Sequence, residues 1–234
     1  MKEKYLFPFL IFLLNFSLIG LSITNSFRNL YNCQSEIHLV IQGNGTQNIL
    51  NIAFNPGPSK VLLNGSKNIS CNKTCYLEGD KNNITLIFNE KIKSCNSMFS
   101  GLSNITEVDL SNFDASEVKN MSSMFSKCIN LTKINFGNIN TSSVENMYSM
   151  FFGCSKLVSI DLSKFKTSKV TTMAYMFHKC SSLRYLDLSN FDTSKVQSMN
   201  GMFYNCKNLT KLNFGNIDTS FVRDMSWSLL AVQV

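Results

Sequence analysis

Cys128, Cys154, Cys180 and Cys206 stand 26 residues apart. Thiols at regular spacing could ligate a soft metal or pair as disulfides. A zinc centre needs its ligands around one point, whereas these fall along a line. Packed helices lie about 8–10 Å apart, while a disulfide needs Cα atoms roughly 4.4–6.8 Å apart. The four therefore read as buried free thiols, with disulfides between adjacent repeats as the alternative. Met121, Met147, Met173, Met199 and Met225 follow the same period. A methionine stripe can hold soft metals, but its helical phase assigns it to core packing.

Cys33, Cys71, Cys75 and Cys95 form a second set, for which three pairings exist. At least one disulfide is expected there, between Cys71 and Cys75 or from one of them to Cys33. Cys95 takes a buried methionine slot and reads as unpaired. The chain has two histidines, His38 and His178. No Ser/His/Asp arrangement, phosphate loop or catalytic carboxylate pair can be argued from the spacings, so the expectation is no enzyme, cofactor or metal site.

Two rows of outward residues remain. Asp109, Asn135, Asp161, Asp187 and Asn213 share one strand slot. They form a solvated ladder or, alternatively, a cation or ligand surface, although a hard cation wants about six or more oxygens. Glu107, Lys133, Ser159, Tyr185 and Lys211 share the other slot. This row varies where the core is uniform, as a binding surface would.

The elements that position these rows come from a strict repeat. Met-Phe pairs stand at 98–99, 124–125, 150–151, 176–177 and 202–203, a period of 26 without slippage. A fixed period of this size marks units that bury their apolar faces only by stacking. In one copy, Leu186 and Leu188 alternate around Asp187, as in a half-buried strand. Asp192-Thr193-Ser194 offers helix N-cap oxygens. Val196, Met199, Met202, Phe203 and Cys206 then follow at helical spacing. The expected fold is an α/β solenoid of five strand-turn-helix repeats with a parallel sheet, preceded by a small β-rich cap. Asp-Leu-Ser-Asn-Phe at 109–113 and 187–191 alternates with Asn-Phe-Gly-Asn-Ile at 135–139 and 213–217. One aromatic ring per copy implies that Leu188 touches Phe191 and Phe136 touches Ile139 in a shared volume.

The string Leu-Asp-Leu-Ser-Asn-Phe-Asp-Thr-Ser-Lys-Val-x-x-Met-x-x-Met-Phe-x-x-Cys at 186–206 resembles the repeat of BspA-like leucine-rich-repeat surface proteins. The resemblance covers residues 98–227. It implies a curved strand-and-helix solenoid, secreted or displayed at the cell surface, that binds matrix, host or partner proteins. It brings no catalytic residues.

Residues 1–22 read as a signal peptide: Lys2 and Lys4, an apolar run, then small residues before a cut near Ser22. An uncleaved anchor is the alternative. Residues 23–97 form the cap, with a hairpin of 37–41 and 49–54 around Gly43-Asn-Gly45 and strands at 61–63 and 84–88. Residues 84–97 read as a degenerate leading repeat, 98–227 as the repeats, and 228–234 as an irregular or truncated end. Glycan acceptors are expected at Asn44, Asn64, Asn68, Asn72, Asn83, Asn104, Asn130 and Asn208, each in an Asn-x-Ser/Thr sequon. The net charge of +7 is spread along the chain, which argues against nucleic-acid binding. The reading is a secreted or surface protein that binds proteins or matrix, with no membrane span in the mature chain. A structural, glycan-coated surface protein without a specific ligand is the alternative.

Overall fold

Val118, Met121, Met124, Phe125 and Cys128 carry the spacing of a helix face, yet the backbone through them is not helical. The N–H groups of Met121, Ser123, Phe125 and Lys127 donate to the carbonyls of Asn146, Tyr148, Met150 and Phe152, each 25 residues further on, at 2.9, 2.8, 2.9 and 2.6 Å. The N–H groups between them turn inward. Those of Met124, Ser126 and Cys128 bond the carbonyls of Met121, Ser123 and Phe125, three residues back. Ser123 and Lys127 have φ of +54° and +59°, which breaks any right-handed helix. The same left-handed slots recur at Ser97, Ser149, Tyr175, Gly201 and Trp227, and at Gly101, Gly153, Lys179 and Asn205.

This overturns the expected α/β solenoid of strand-turn-helix repeats. Among the described residues, 35–228 of the computed structural model, there is no helix, and the strands lie in mixed sheets. The apolar positions of each copy face inward because consecutive turns, not a helix, bring them to one side. Asp192-Thr193-Ser194 is accordingly not a helix cap. The Asp192 carboxylate accepts the Ser194 N–H at 3.0 Å within a turn, and the Thr193 hydroxyl donates to the Asp218 carbonyl of the next copy at 2.7 Å.

The strands are β1 (Ser35–Gln42), β2 (Gly45–Asn48), β3 (Lys60–Leu63), β4 (Lys67–Asn68), β5 (Thr74–Leu77), β6 (Lys81–Phe88), β7 (Ile105–Asp109), β8 (Lys133–Asn135), β9 (Tyr185–Asp187) and β10 (Lys211–Asn213). A six-stranded sheet runs β4-β3-β6-β1-β7-β8, while β10-β9 and β2-β5 are separate pairs. The expected hairpin across Gly43-Asn-Gly45 does not form. β1 pairs antiparallel with both β6 and β7, and β2 pairs with β5. β1 alternates Ile37, Leu39 and Ile41 inward with half-buried Glu36, His38 and Val40, so one face meets the core.

Parallel pairing joins β7 to β8 and β9 to β10. It lapses at Ser159-Ile160-Asp161, which forms no strand, so the expected parallel sheet is not continuous. Successive copies are also joined by parallel bridges between Ser94, Asn120, Asn146, Thr172, Ser198 and Asp224.

Within the core, the repeats share one column. Phe99, Phe125, Phe151, Phe177 and Phe203 stack at 5.5, 5.7, 5.4 and 5.7 Å, with interplanar angles of 16° or less. All five are buried, as are Met98, Met124, Met150, Met176 and Met202. Each ring pair adds about 0.5–1.5 kcal/mol beyond its area burial. Turns bond Phe191 N–H to Leu188 and Ile139 N–H to Phe136 at 2.9 and 3.1 Å, and all four side chains are buried. Backbone geometry also fixes the alternation. Gly137 and Gly215 have φ of +54° and +57°, and a Cβ on either would lie 2.7 Å from the Cα of Ser111 or Ser189.

Candidate binding faces

The Asp/Asn row is spent locally. The side-chain oxygens of Asp109, Asn135, Asp161, Asp187 and Asn213 accept the N–H two residues on, from Ser111, Gly137, Ser163, Ser189 and Gly215, at 2.8–3.1 Å. Asn135 also donates to Asp109 at 3.0 Å, and Asn213 to Asp187 at 3.1 Å. These are turn-closing groups tied across neighbouring copies. Among the described residues no cluster of His, Cys, Asp or Glu could hold a metal.

The second row behaves differently. Lys133, Ser159, Tyr185 and Lys211 are exposed and Glu107 is half-buried. Lys211 Nζ lies 5.3 Å from the Tyr185 ring centroid, and the Tyr185 hydroxyl donates to Asp187 at 2.9 Å. Two hydrogen bonds from Ser189, through its hydroxyl and its N–H, and the one from Tyr185 hold the Asp187 pKa down to about 2. Where the strand lapses, a groove of about 430 Å³ opens, lined by Ser159, Ile160, Asp161, Tyr185, Asp187 and Asn190 among others.

Sequence reasoning missed the extension of this face onto β1. β1 lies beside β7, so His38 faces Asp109, and Val40 faces Glu107. On the other side the Thr85 hydroxyl lies 2.9 Å from His38 Nδ1. Partial burial opposes ionisation of Asp109, but hydrogen bonds from Ser111 and Asn135, together with nearby His38, outweigh it and lower its pKa. A groove of about 300 Å³ runs over His38, Val40, Thr85, Glu107, Asp109 and Lys133. The mixed polar and apolar alternation of β1 was visible in sequence, but its partner strands were not.

Cys128, Cys154, Cys180 and Cys206 are buried and free, and Cys95 is as well. They sit in turns, not at helix ends. Each of the four thiols donates to a carbonyl 29 residues back, of Phe99, Phe125, Phe151 and Phe177, at 3.0–3.1 Å. Burial pushes the Cys128 and Cys206 thiols up to about 12 and raises Cys154 and Cys180 well above the ordinary value. Met121, Met147, Met173 and Met199 are buried, but Met225 is 46% exposed.

Cys71 and Cys75 form the expected disulfide, with Cα atoms 5.3 Å apart. Cys33, the signal segment 1–22 and the end 229–234 lie outside the described residues. Asn44, Asn64, Asn68, Asn72, Asn83 and Asn208 are exposed. Asn104 and Asn130 are half-buried, and their amide nitrogens already donate, Asn104 to Gln47 and Asn48 and Asn130 to Ser103. The His178 ring lies between those of Phe152 and Tyr204, at 4.8 and 4.9 Å. Burial, with Lys179 nearby, lowers its pKa. Among the described residues no helix is long and apolar enough to cross a membrane.

A family model described as a Mycoplasma protein of unknown function, DUF285, matches residues 73–161 and 130–232, together well over half of the chain. No curated protein and no solved structure matches it.

Proposed function

We infer that this chain, which belongs to the DUF285 family, is a BspA-like surface protein that binds a protein or matrix partner through its sheet face. One observation carries the reading. A uniform buried column of phenylalanines holds a row whose outward residues, Lys133, Tyr185 and Lys211, are exposed and differ from copy to copy. Packing alone does not require that variety, whereas a contact surface uses it. The two grooves flanking the row give it relief. Secretion is part of this reading, supported by the basic-then-apolar residues 2–14 and by the Cys71–Cys75 disulfide, which suits an oxidising compartment.

The test is a variant with Lys133→Ala, Tyr185→Ala and Lys211→Ala, assayed against a panel of immobilised extracellular-matrix proteins. The reading expects weaker capture at unchanged thermal stability. Equal capture would favour the second reading, a glycan-coated coat protein, which the six exposed sequon asparagines support.

A further inference from the structure

The turn segments carry a second surface. Six aromatic side chains form an unbroken chain of ring contacts: Tyr148 to Tyr175 at 5.7 Å, Tyr175 to His178 at 5.4 Å, His178 to Phe152 at 4.8 Å and to Tyr204 at 4.9 Å, and Tyr204 to Trp227 at 6.2 Å. Trp227 and Tyr148 are 62% and 42% exposed, and the others are half-buried. None of these rings belongs to the phenylalanine column.

The backbone does not ask for them. The slot of Tyr175 and Trp227 is held by serine at Ser97, Ser123 and Ser149, all with positive φ. Tyr175 and Trp227 adopt φ of +56° and +59°, a conformation unfavourable for bulky side chains. The slot of Phe152, His178 and Tyr204 is likewise serine at Ser100 and Ser126. Tyr175 and Trp227 hold rings on strained backbone, and Tyr148 and Trp227 hold theirs in water, at slots where serine suffices in other copies, which points to function and not to folding.

Charge selects the partner. Lys127 and Lys179 are exposed beside the rings. The Lys127 N–H donates to the Phe152 carbonyl, and Lys179 Nζ lies 5.9 Å from the Phe152 ring centroid. We propose that this aromatic strip with its lysines is a binding site for an acidic polysaccharide, the rings packing against sugar C–H faces and the lysines meeting its anionic groups. The strip is distinct from the sheet-face row, so either surface can fail its test without the other.

Trp227 is the single tryptophan of the chain, so its fluorescence reports on the strip directly. Titrating the full chain with a heparin oligosaccharide should shift that emission. By calorimetry, a Tyr148→Ser, Trp227→Ser variant should bind the oligosaccharide at least tenfold more weakly, while the Lys133→Ala, Tyr185→Ala, Lys211→Ala variant should stay within about twofold of the parent. Because serine is native to the Trp227 slot in earlier copies and to the Tyr148 slot at Ser122 and Ser226, the first variant should melt no lower than the parent. An unshifted emission, or equal affinity of both variants, overturns the proposal. So does dextran binding as tightly as heparin, or a thymidine oligonucleotide displacing heparin at lower concentration, since the strip would then take neutral glycans or single-stranded nucleic acid.

Discussion

The Thr167 hydroxyl clamps Asp192, donating to its carbonyl at 3.0 Å and accepting its N–H at 2.8 Å. Thr141 and Thr193 make the same reciprocal pair with Lys166 and Asp218. At the start of β1, the buried Ser35 hydroxyl accepts the Asp114 N–H at 3.0 Å, so this strand supplies one half of the same clamp.

Thr167→Val keeps the shape and removes both bonds. It should destabilise the protein by about 1–3 kcal/mol, and Thr167→Ser should recover most of that. Urea unfolding of the two variants checks this. A valine variant as stable as the parent would show that the clamp is incidental.

Gly201 is a glycine because of Tyr175. A Cβ there would sit 2.7 Å from Cε1 of the tyrosine, at a φ of +56°. Gly201→Ala should cost about 1–2 kcal/mol for the left-handed backbone alone, and more from the ring. Adding Tyr175→Ser should remove the ring's share. The thermal midpoints of the single and double variants separate the two effects, and additivity of the substitutions would refute the contact.

Much of this was legible in the sequence. The period of 26 placed Phe99 through Phe203 in one column, and the phase of Met121, Met147, Met173 and Met199 put them in the core. The absence of helices was not legible, because Met121, Met124, Phe125 and Cys128 satisfy helical spacing whether one helix or a run of turns presents them. What decides between the two is the φ sign at Ser123 and Lys127, residues with no strong left-handed preference. Glycine at 101, 153 and 201 hints at it, but the slots mix glycine with serine, lysine and tyrosine. The aromatic strip escaped for another reason: Tyr175 and His178 meet across different slots, and reading slot by slot never brings them together.

The thiol column makes the fold sensitive to alkali. Folded Cys128 and Cys206 lose their protons near 12, whereas unfolded thiols do so near about 8.5. The unfolded state therefore deprotonates first as pH rises. The stabilisation is intact below about pH 8.5 and falls above it, by about 1.4 kcal/mol per pH unit for each such thiol. Denaturant midpoints measured from pH 8 to 11 should decline. In the native state at pH 8, Cys128, Cys154, Cys180 and Cys206 should resist alkylation, and rapid modification of any of them would contradict their burial.

The acid limb has the opposite sign. Asp187 ionises at about 2 in the folded chain and near about 3.9 when unfolded. Its contribution is present above about pH 4 and fades as pH falls towards 2. Asp187→Asn keeps the turn, as Asn135 and Asn213 do in the same slot, and should flatten the loss of stability over that range. An unchanged acid profile would mean that other carboxylates govern it.

The most direct test of the architecture is the partner of one amide. Scalar coupling transmitted through a hydrogen bond, measured by NMR on the deuterated chain, identifies which carbonyl the Phe125 N–H meets. The structure predicts coupling to the carbonyl carbon of Met150, 25 residues ahead. Coupling to Met121, four residues back, would mean a helix and would contradict the account.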